Sequence, residues 1–207
     1  MSFTDAQKFW DDRFNTEEFI FGTEPNKFLK EATLKYLSGD LNVLCVADGE
    51  GRNSVYLAKQ GFKVKAFDLS PVAVEKSKKL ALKNNVNIGF FVSDCDSWKW
   101  KVDCYDVIVA IFIQFADPDM RARLFKHMIS SLKPGGILII QGYTPKQVEH
   151  KTGGPGKIEN LYTKSMMIEL LGGLKILELT EHEGELREGN HHIGMSALMD
   201  VVAIKPI

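Results

Sequence analysis

The chain has 207 residues, 44% hydrophobic and 26% charged, the balance of a globular chain long enough to bury a substantial core. A formal net charge of −1 provides no global field for a polyanion, so neither nucleic acid nor an anionic membrane is expected as a partner. The first residues lack a basic-then-apolar leader and the longest apolar stretch, residues 107–115, is too short to span a bilayer, so a cytoplasmic location is expected. Cysteines at 45, 95 and 104 form no C-x-x-C pair and five scattered histidines add no zinc pattern, so no metal is expected.

In chain order, amphipathic helices are expected over residues 5–13 and 26–36. Between them Thr23 reads as a helix cap, with Glu24 and Pro25 in the first turn. The string V-L-C-V-A-D-G-E-G-R-N-S at 43–54 is an apolar strand that breaks into closely spaced glycines and enters a helical pattern. Gly49 and Gly51 allow a backbone to approach a ligand, and the helix start offers unpaired N–H groups to a carboxylate or phosphate. A second strand, 62–67, ends in Asp68, with Ser70 and Pro71 opening the next helix. The spacing from the glycines to Asp68 is close to the roughly 20 residues that separate a glycine-rich turn from an acidic residue holding ribose hydroxyls.

A third strand, 87–92, leads to Asp94 and Cys95, and Asp94 is placed to accept from an adenine amino group. A fourth strand, 107–115, a helix, L-K-P-G-G at 132–136 and a fifth strand, 137–141, follow. The connection 142–162, with T-G-G-P-G at 152–156, reads as a lid over the strand ends or as a solvent loop. The tail is expected to hold a helix over 164–171, a strand over 175–181, a charged turn with His191 and His192, and a last strand over 195–204. Alternation of strand and helix predicts an α/β fold, doubly wound about a parallel sheet.

D-G-E-G-R-N at 48–53, A-F-D-L-S at 66–70, S-D-C-D at 93–96 and L-K-P-G-G at 132–136 resemble the class I S-adenosylmethionine-dependent methyltransferases. W-D-D-R-F at 10–14 and F-G-T-E-P-N at 21–26 resemble the branch grouped with tellurite-resistance and thiopurine methyltransferases. The resemblance implies a Rossmann-like, mostly parallel seven-stranded sheet with an antiparallel last strand and helices on both faces. It implies a single domain over 1–207, with a helical cover (1–40), a cofactor-binding core (41–143), and a lid loop and C-terminal strands (144–207). The implied cofactor is S-adenosyl-L-methionine, held by Asp48, Gly49, Glu50, Gly51, Asn53, Asp68, Leu69, Asp94, Cys95 and Ile111, with Asp48 as partner of the methionine ammonium. Trp10, Arg13, Phe21, Thr23, Asn26, Gln141 and Tyr143 are the implied substrate side. The chain departs from the family pattern at Cys45 and Ala47, where an acidic residue and a glycine are usual.

The implied reaction is in-line transfer of a sulfonium methyl group to a small-molecule acceptor, with a thiol or chalcogen species as the candidate. Because positive sulfur already activates the methyl, the protein's task is alignment and exclusion of water. No catalytic base is assigned; His192 and Tyr143 are the candidates should the nucleophile need one. Expected partners are a small substrate, no nucleic acid and no membrane, in a monomer or homodimer. A non-catalytic S-adenosylmethionine-binding or regulatory protein is the alternative. An NAD-dependent oxidoreductase would share the glycine turn and Asp68, but it leaves Asp94, L-K-P-G-G and the two-strand tail unexplained.

Overall fold

The computed structural model describes residues 3–190 and 192–207; His191 lies outside the described residues. Seven strands form one sheet in the order β3-β2-β1-β4-β5-β7-β6. They are β1 (Asn42–Val46), β2 (Lys63–Asp68), β3 (Gly89–Val92), β4 (Tyr105–Ile111), β5 (Leu132–Tyr143), β6 (Lys175–Glu188) and β7 (His192–Ile204). The first five pair in parallel, whereas β7 runs antiparallel to both neighbours. This is the expected doubly wound sheet. Chain order reverses between β1 and β4, the switch point at which open α/β sheets leave a crevice.

Burial on both faces explains why β4 reads as a continuous apolar run: Val107, Ile108, Val109 and Ala110 are each at most 2% exposed. One face packs beneath α2 (Lys27–Tyr36) and α3 (Arg52–Lys59), through Phe28, Leu29, Ala32 and Leu57. The other packs beneath α5 (Pro118–Ser131) and α7 (Lys164–Leu170), through Leu124, Phe125, Met128 and Met167. Helix starts follow local chemistry. Ser70 caps α4 (Pro71–Lys83) and Asp117 caps α5, each with proline in the first turn. α2 is capped by Asn26 and not by Thr23, which is exposed.

The structure corrects three other expectations. β4 stops at Ile111 because Phe112 takes a left-handed φ of 56°, turning the next residues out of the sheet. The segment between β5 and α7 contributes no residue to the cavity described below. Its short helix α6 (Gln147–His150) lies on β7, where Gln147 Oε1 accepts from the Ala197 N–H at 2.8 Å. Farther along, Asn160 and Gln114 exchange hydrogen bonds that pin the segment to the loop following β4. Lastly, the charged turn is much shorter than expected, since β6 and β7 pair from Lys175↔Ile204 to Glu188↔His192 as one long hairpin. His192 is thus a strand residue.

That hairpin reaches the N-terminal segment. The Asn190 N–H donates to the Ile20 carbonyl at 3.0 Å, and a Cβ on Gly189 would fall 2.3 Å from the same oxygen. Only glycine permits the approach. Below it, buried Lys76 on α4 donates to the carbonyls of Phe14, Thr16 and Glu18 and pairs with Glu50 at 2.5 Å, fixing the chain that follows α1 (Phe3–Phe14). Among the described residues no helix is long and apolar enough to cross a membrane.

Candidate functional site

At the β1/β4 switch point a cavity encloses about 990 Å³ of empty space, part of it open to solvent. Its floor is the turn after β1 and its sides are the ends of β2, β3 and β4. Trp10 and Phe14 from α1, with Phe21, also line it. Of the residues expected to hold cofactor, Asp48, Gly49, Asn53, Asp68, Leu69, Asp94, Cys95 and Ile111 all stand on this wall.

Three carboxylates arrive at successive strand ends. The Asp48 carboxylate accepts from the Ser54 hydroxyl; burial, reinforced by neighbouring Asp68, raises its pKa to about 7. Asp68 accepts from the backbone N–H of Gly49 at 2.8 Å and of Ser70 at 2.9 Å, so it braces the turn that it faces. Burial lifts its pKa to about 6, with those two amides opposing. Asp94 Oδ1 accepts from the amides of Asp96 and Ser97, both at 2.7 Å; these bonds outweigh its partial burial and hold it below its ordinary value. Burial pushes the Cys95 thiol well up, which makes it a neutral wall group.

Two motif residues have other work. Glu50 is 3% exposed and its carboxylate is taken by Lys76, away from the cavity wall. Gly51, at φ 89°, caps α3, and a Cβ there would lie 2.8 Å from Ser77 Cβ. Its lack of side chain serves the contact between α3 and α4, so only Gly49 of the pair faces the cavity.

The expected substrate residues divide as well. Trp10 and Phe21 line the cavity, while Arg13, Thr23, Asn26, Gln141 and Tyr143 do not. Arg13 lies beside the Trp10 and Phe21 rings, 5.7 and 5.9 Å from their centroids. Asn26 and Gln141 form a buried polar row behind the wall: Asn26 Nδ2 donates to Gln141 Oε1 (2.6 Å) and Glu188 Oε1 (2.8 Å). Gln141 Nε2 in turn donates to Asp200 Oδ1, 2.5 Å away. Tyr143 stacks behind Phe112 at 4.7 Å, its buried hydroxyl without a partner among the described residues.

Arg52, Phe112, Phe115, Met120 and His192 also line the cavity. Arg52 was visible in the motif string but carried no expectation, and Glu188 behind it carried none. Arg52 Nη2 donates to Glu188 Oε2 at 2.7 Å, whereas Nη1 is buried without a partner among the described residues. Arg52 lines the cavity, and a guanidinium there is suited to an anion. Three carboxylates and a guanidinium therefore line one cavity, a donor set that fits S-adenosylmethionine.

The sheet order and its crevice at the switch point are those of the class I methyltransferase fold, the class the motifs resemble. Residues 43–136 match the family described as a methyltransferase domain. The chain is 34% identical over 106 residues to the tRNA (uracil(54)-C(5))-methyltransferase of Pyrococcus furiosus, covering 45% of this chain and 26% of that protein. It is 34% identical over 116 residues to the ribosomal protein L11 methyltransferase of Campylobacter lari, covering 54% of this chain and 38% of that protein. The chain thus spans well under half the length of these relatives. TehB from Haemophilus influenzae superposes with TM-score 0.70 at 20% identity, over 96% of this chain and 66% of that one. N-methyltransferase NodS from Bradyrhizobium japonicum, in complex with S-adenosyl-L-homocysteine, superposes with TM-score 0.71 at 16% identity, over 98% and 99%.

These relatives overturn the expected partners. The charge argument excluded nucleic acid and favoured a small substrate, yet proteins matched over the same core are named for action on tRNA and on a ribosomal protein. Net charge averages over a whole domain, whereas an acceptor of any size needs only to bring one atom to the cavity mouth.

Proposed function

We propose that the protein transfers a methyl group from S-adenosylmethionine to a thiol or related chalcogen nucleophile presented at the aromatic end of the cavity. The observation that carries this is the convergence of Asp48, Asp68, Asp94 and Arg52 on one cavity at the switch point. In this reading Asp68 accepts from the ribose hydroxyls and Asp94 from the adenine amino group beside Cys95, with Leu69 and Ile111 flanking. Asp48 balances the ammonium and Arg52 takes the carboxylate. The bound cofactor supplies a methyl carbon already activated by positive sulfur. Trp10, Phe14 and Phe21, from the cover over residues 1–40, exclude water from it.

The far walls favour a soft acceptor atom. Phe21, Phe112, Phe115 and Met120 offer apolar, polarisable surface that solvates a compact oxyanion poorly and a diffuse sulfur centre better.

The test is isothermal titration with S-adenosylmethionine, S-adenosylhomocysteine and NAD, repeated on Asp68→Ala. Binding of the two sulfur ligands and not NAD is expected, weakened about 10- to 100-fold by the substitution, the loss of one or two hydrogen bonds to a charged group. Turnover is then screened on thiols, tellurite, unmodified tRNA and ribosomal protein L11. If neither sulfur ligand binds, the methyl-transfer reading falls; if only oxygen, nitrogen or carbon acceptors are methylated, the chalcogen assignment falls.

A further inference from the structure

The β6–β7 hairpin brings one carboxylate to the junction of three elements. Glu188, 9% exposed at the end of β6, accepts from Asn26 Nδ2 on Oε1 and from Arg52 Nη2 on Oε2. The same Oε2 lies 3.1 Å from His192 Nδ1 at the start of β7. Burial opposes the charge, but the hydrogen bond with His192 and the Arg52 guanidinium bring the Glu188 pKa down to about 2. An ionised carboxylate only accepts, so Nδ1 of His192 bears the proton and Nε2 of the neutral ring carries the lone pair.

That ring is part of the cavity wall. It lies 4.5 Å from Phe21, 4.8 Å from Phe112 and 5.9 Å from Tyr143 by ring centroids. No described residue hydrogen-bonds Nε2. The charged groups facing the ring are Glu188 on β6, which favours the imidazolium, and Arg52 on α3 and Arg13 on α1, which disfavour it; burial tips the balance to the neutral form. Behind the dyad, Asn26 continues through Gln141 to Asp200, whose Oδ2 is 2.7 Å from His182 Nε2, so the carboxylate is held by a satisfied row.

We propose that His192 Nε2 takes the proton of the methyl acceptor and that Glu188 is its positioning residue, so that the acceptor enters as a protonated nucleophile such as a neutral thiol. This rests on the methyl-transfer reading of the same cavity. As the acceptor's lone pair forms its bond to the methyl carbon, the carbon–sulfonium bond breaks and its electron pair stays on the departing sulfur. The acceptor's proton passes to Nε2. Glu188 balances the imidazolium until water removes the proton.

The test begins without cofactor. Histidine side-chain NMR over pH 4 to 9 is expected to show His192 as the Nδ1–H tautomer, titrating below the ordinary histidine range. Glu188→Gln should lower that pKa further and weaken the tautomer preference. With a thiol acceptor, kcat/KM should carry an acid limb at the His192 pKa. His192→Gln should remove the limb and lower kcat by about 10²- to 10⁴-fold, the usual contribution of a positioned base, with S-adenosylhomocysteine affinity unchanged. An Nε2–H tautomer in the wild-type protein, or a His192→Gln enzyme that keeps both rate and acid limb, overturns the proposal. Failure of the wild type to bind S-adenosylhomocysteine would instead fall on the methyl-transfer reading, while the NMR arm decides the dyad without it and without a well-folded Glu188→Gln.

Discussion

Ala47 sits on the cavity floor with a left-handed φ of 48°, at the position where the family usually has glycine. A Cβ in that region costs roughly 1–2 kcal/mol. Ala47→Gly should recover about 1 kcal/mol net of the added freedom of the unfolded chain, read as a higher urea midpoint at unchanged slope. Asp48 beside it makes a pH prediction. Its carboxyl is raised to about 7, so the folded protein holds a proton that the unfolded chain, near 3.8, releases. The unliganded protein should therefore lose stability as pH rises from about 4 to about 7 through this group, and Asp48→Asn should flatten that loss. A cationic ligand beside Asp48 favours the ionised form. Titrations with S-adenosylmethionine at pH 6.5 should show proton release, through heats that depend on the buffer's ionisation enthalpy, and titrations at pH 8.5 should not.

At the scale of elements, the cavity is covered by the segment after α1 and by the hairpin tip, which hold one another. Lys76 reaches three carbonyls of that segment and the carboxylate of Glu50, itself accepting from the Phe21 N–H at 3.4 Å. Lys76→Met leaves the buried Glu50 carboxyl without its cation, and should cost about 3–5 kcal/mol by urea unfolding. Adding Glu50→Gln to Lys76→Met should restore part of that loss, and strict additivity would show the pair to be uncoupled. The glycines at 49 and 51 show how an element's packing divides a motif. One lies under the ligand space, while the other is required by Ser77 of α4.

For the whole molecule, hydrogen exchange distinguishes the cover seen here from the lid expected over 142–162. Added S-adenosylmethionine should protect the ends of β1, β2 and β3, residues 8–21 and the hairpin residues 186–190 and 192–194, and leave 144–160 unchanged. Protection centred on 144–160 would return the lid to that connection. The acceptor question also belongs to this scale, since the relatives share the core of the chain and differ over most of their length.

Local chemistry determined much that the sequence shows by itself. Apolar runs ending in Asp68 and Asp94, the glycine turn after β1, and Ser70 with Pro71 each encode a strand end or a helix start within a few residues, so the sheet's parallel half and the carboxylate wall are legible in order. The tertiary structure decided what depends on distant segments meeting. Glu188 and Arg52 are 136 residues apart and Asn26 and Gln141 are 115 apart, pairs that no local pattern announces. The length of the β6–β7 hairpin was hidden because the outer half of β6, H-E-G-E-L-R-E at 182–188, is mostly charged and lies at the sheet edge, where pairing with the neighbouring strand, and not burial, sustains it. That extension carries His192 out of the expected turn and into the cavity, and it joins the N-terminal segment in closing the site.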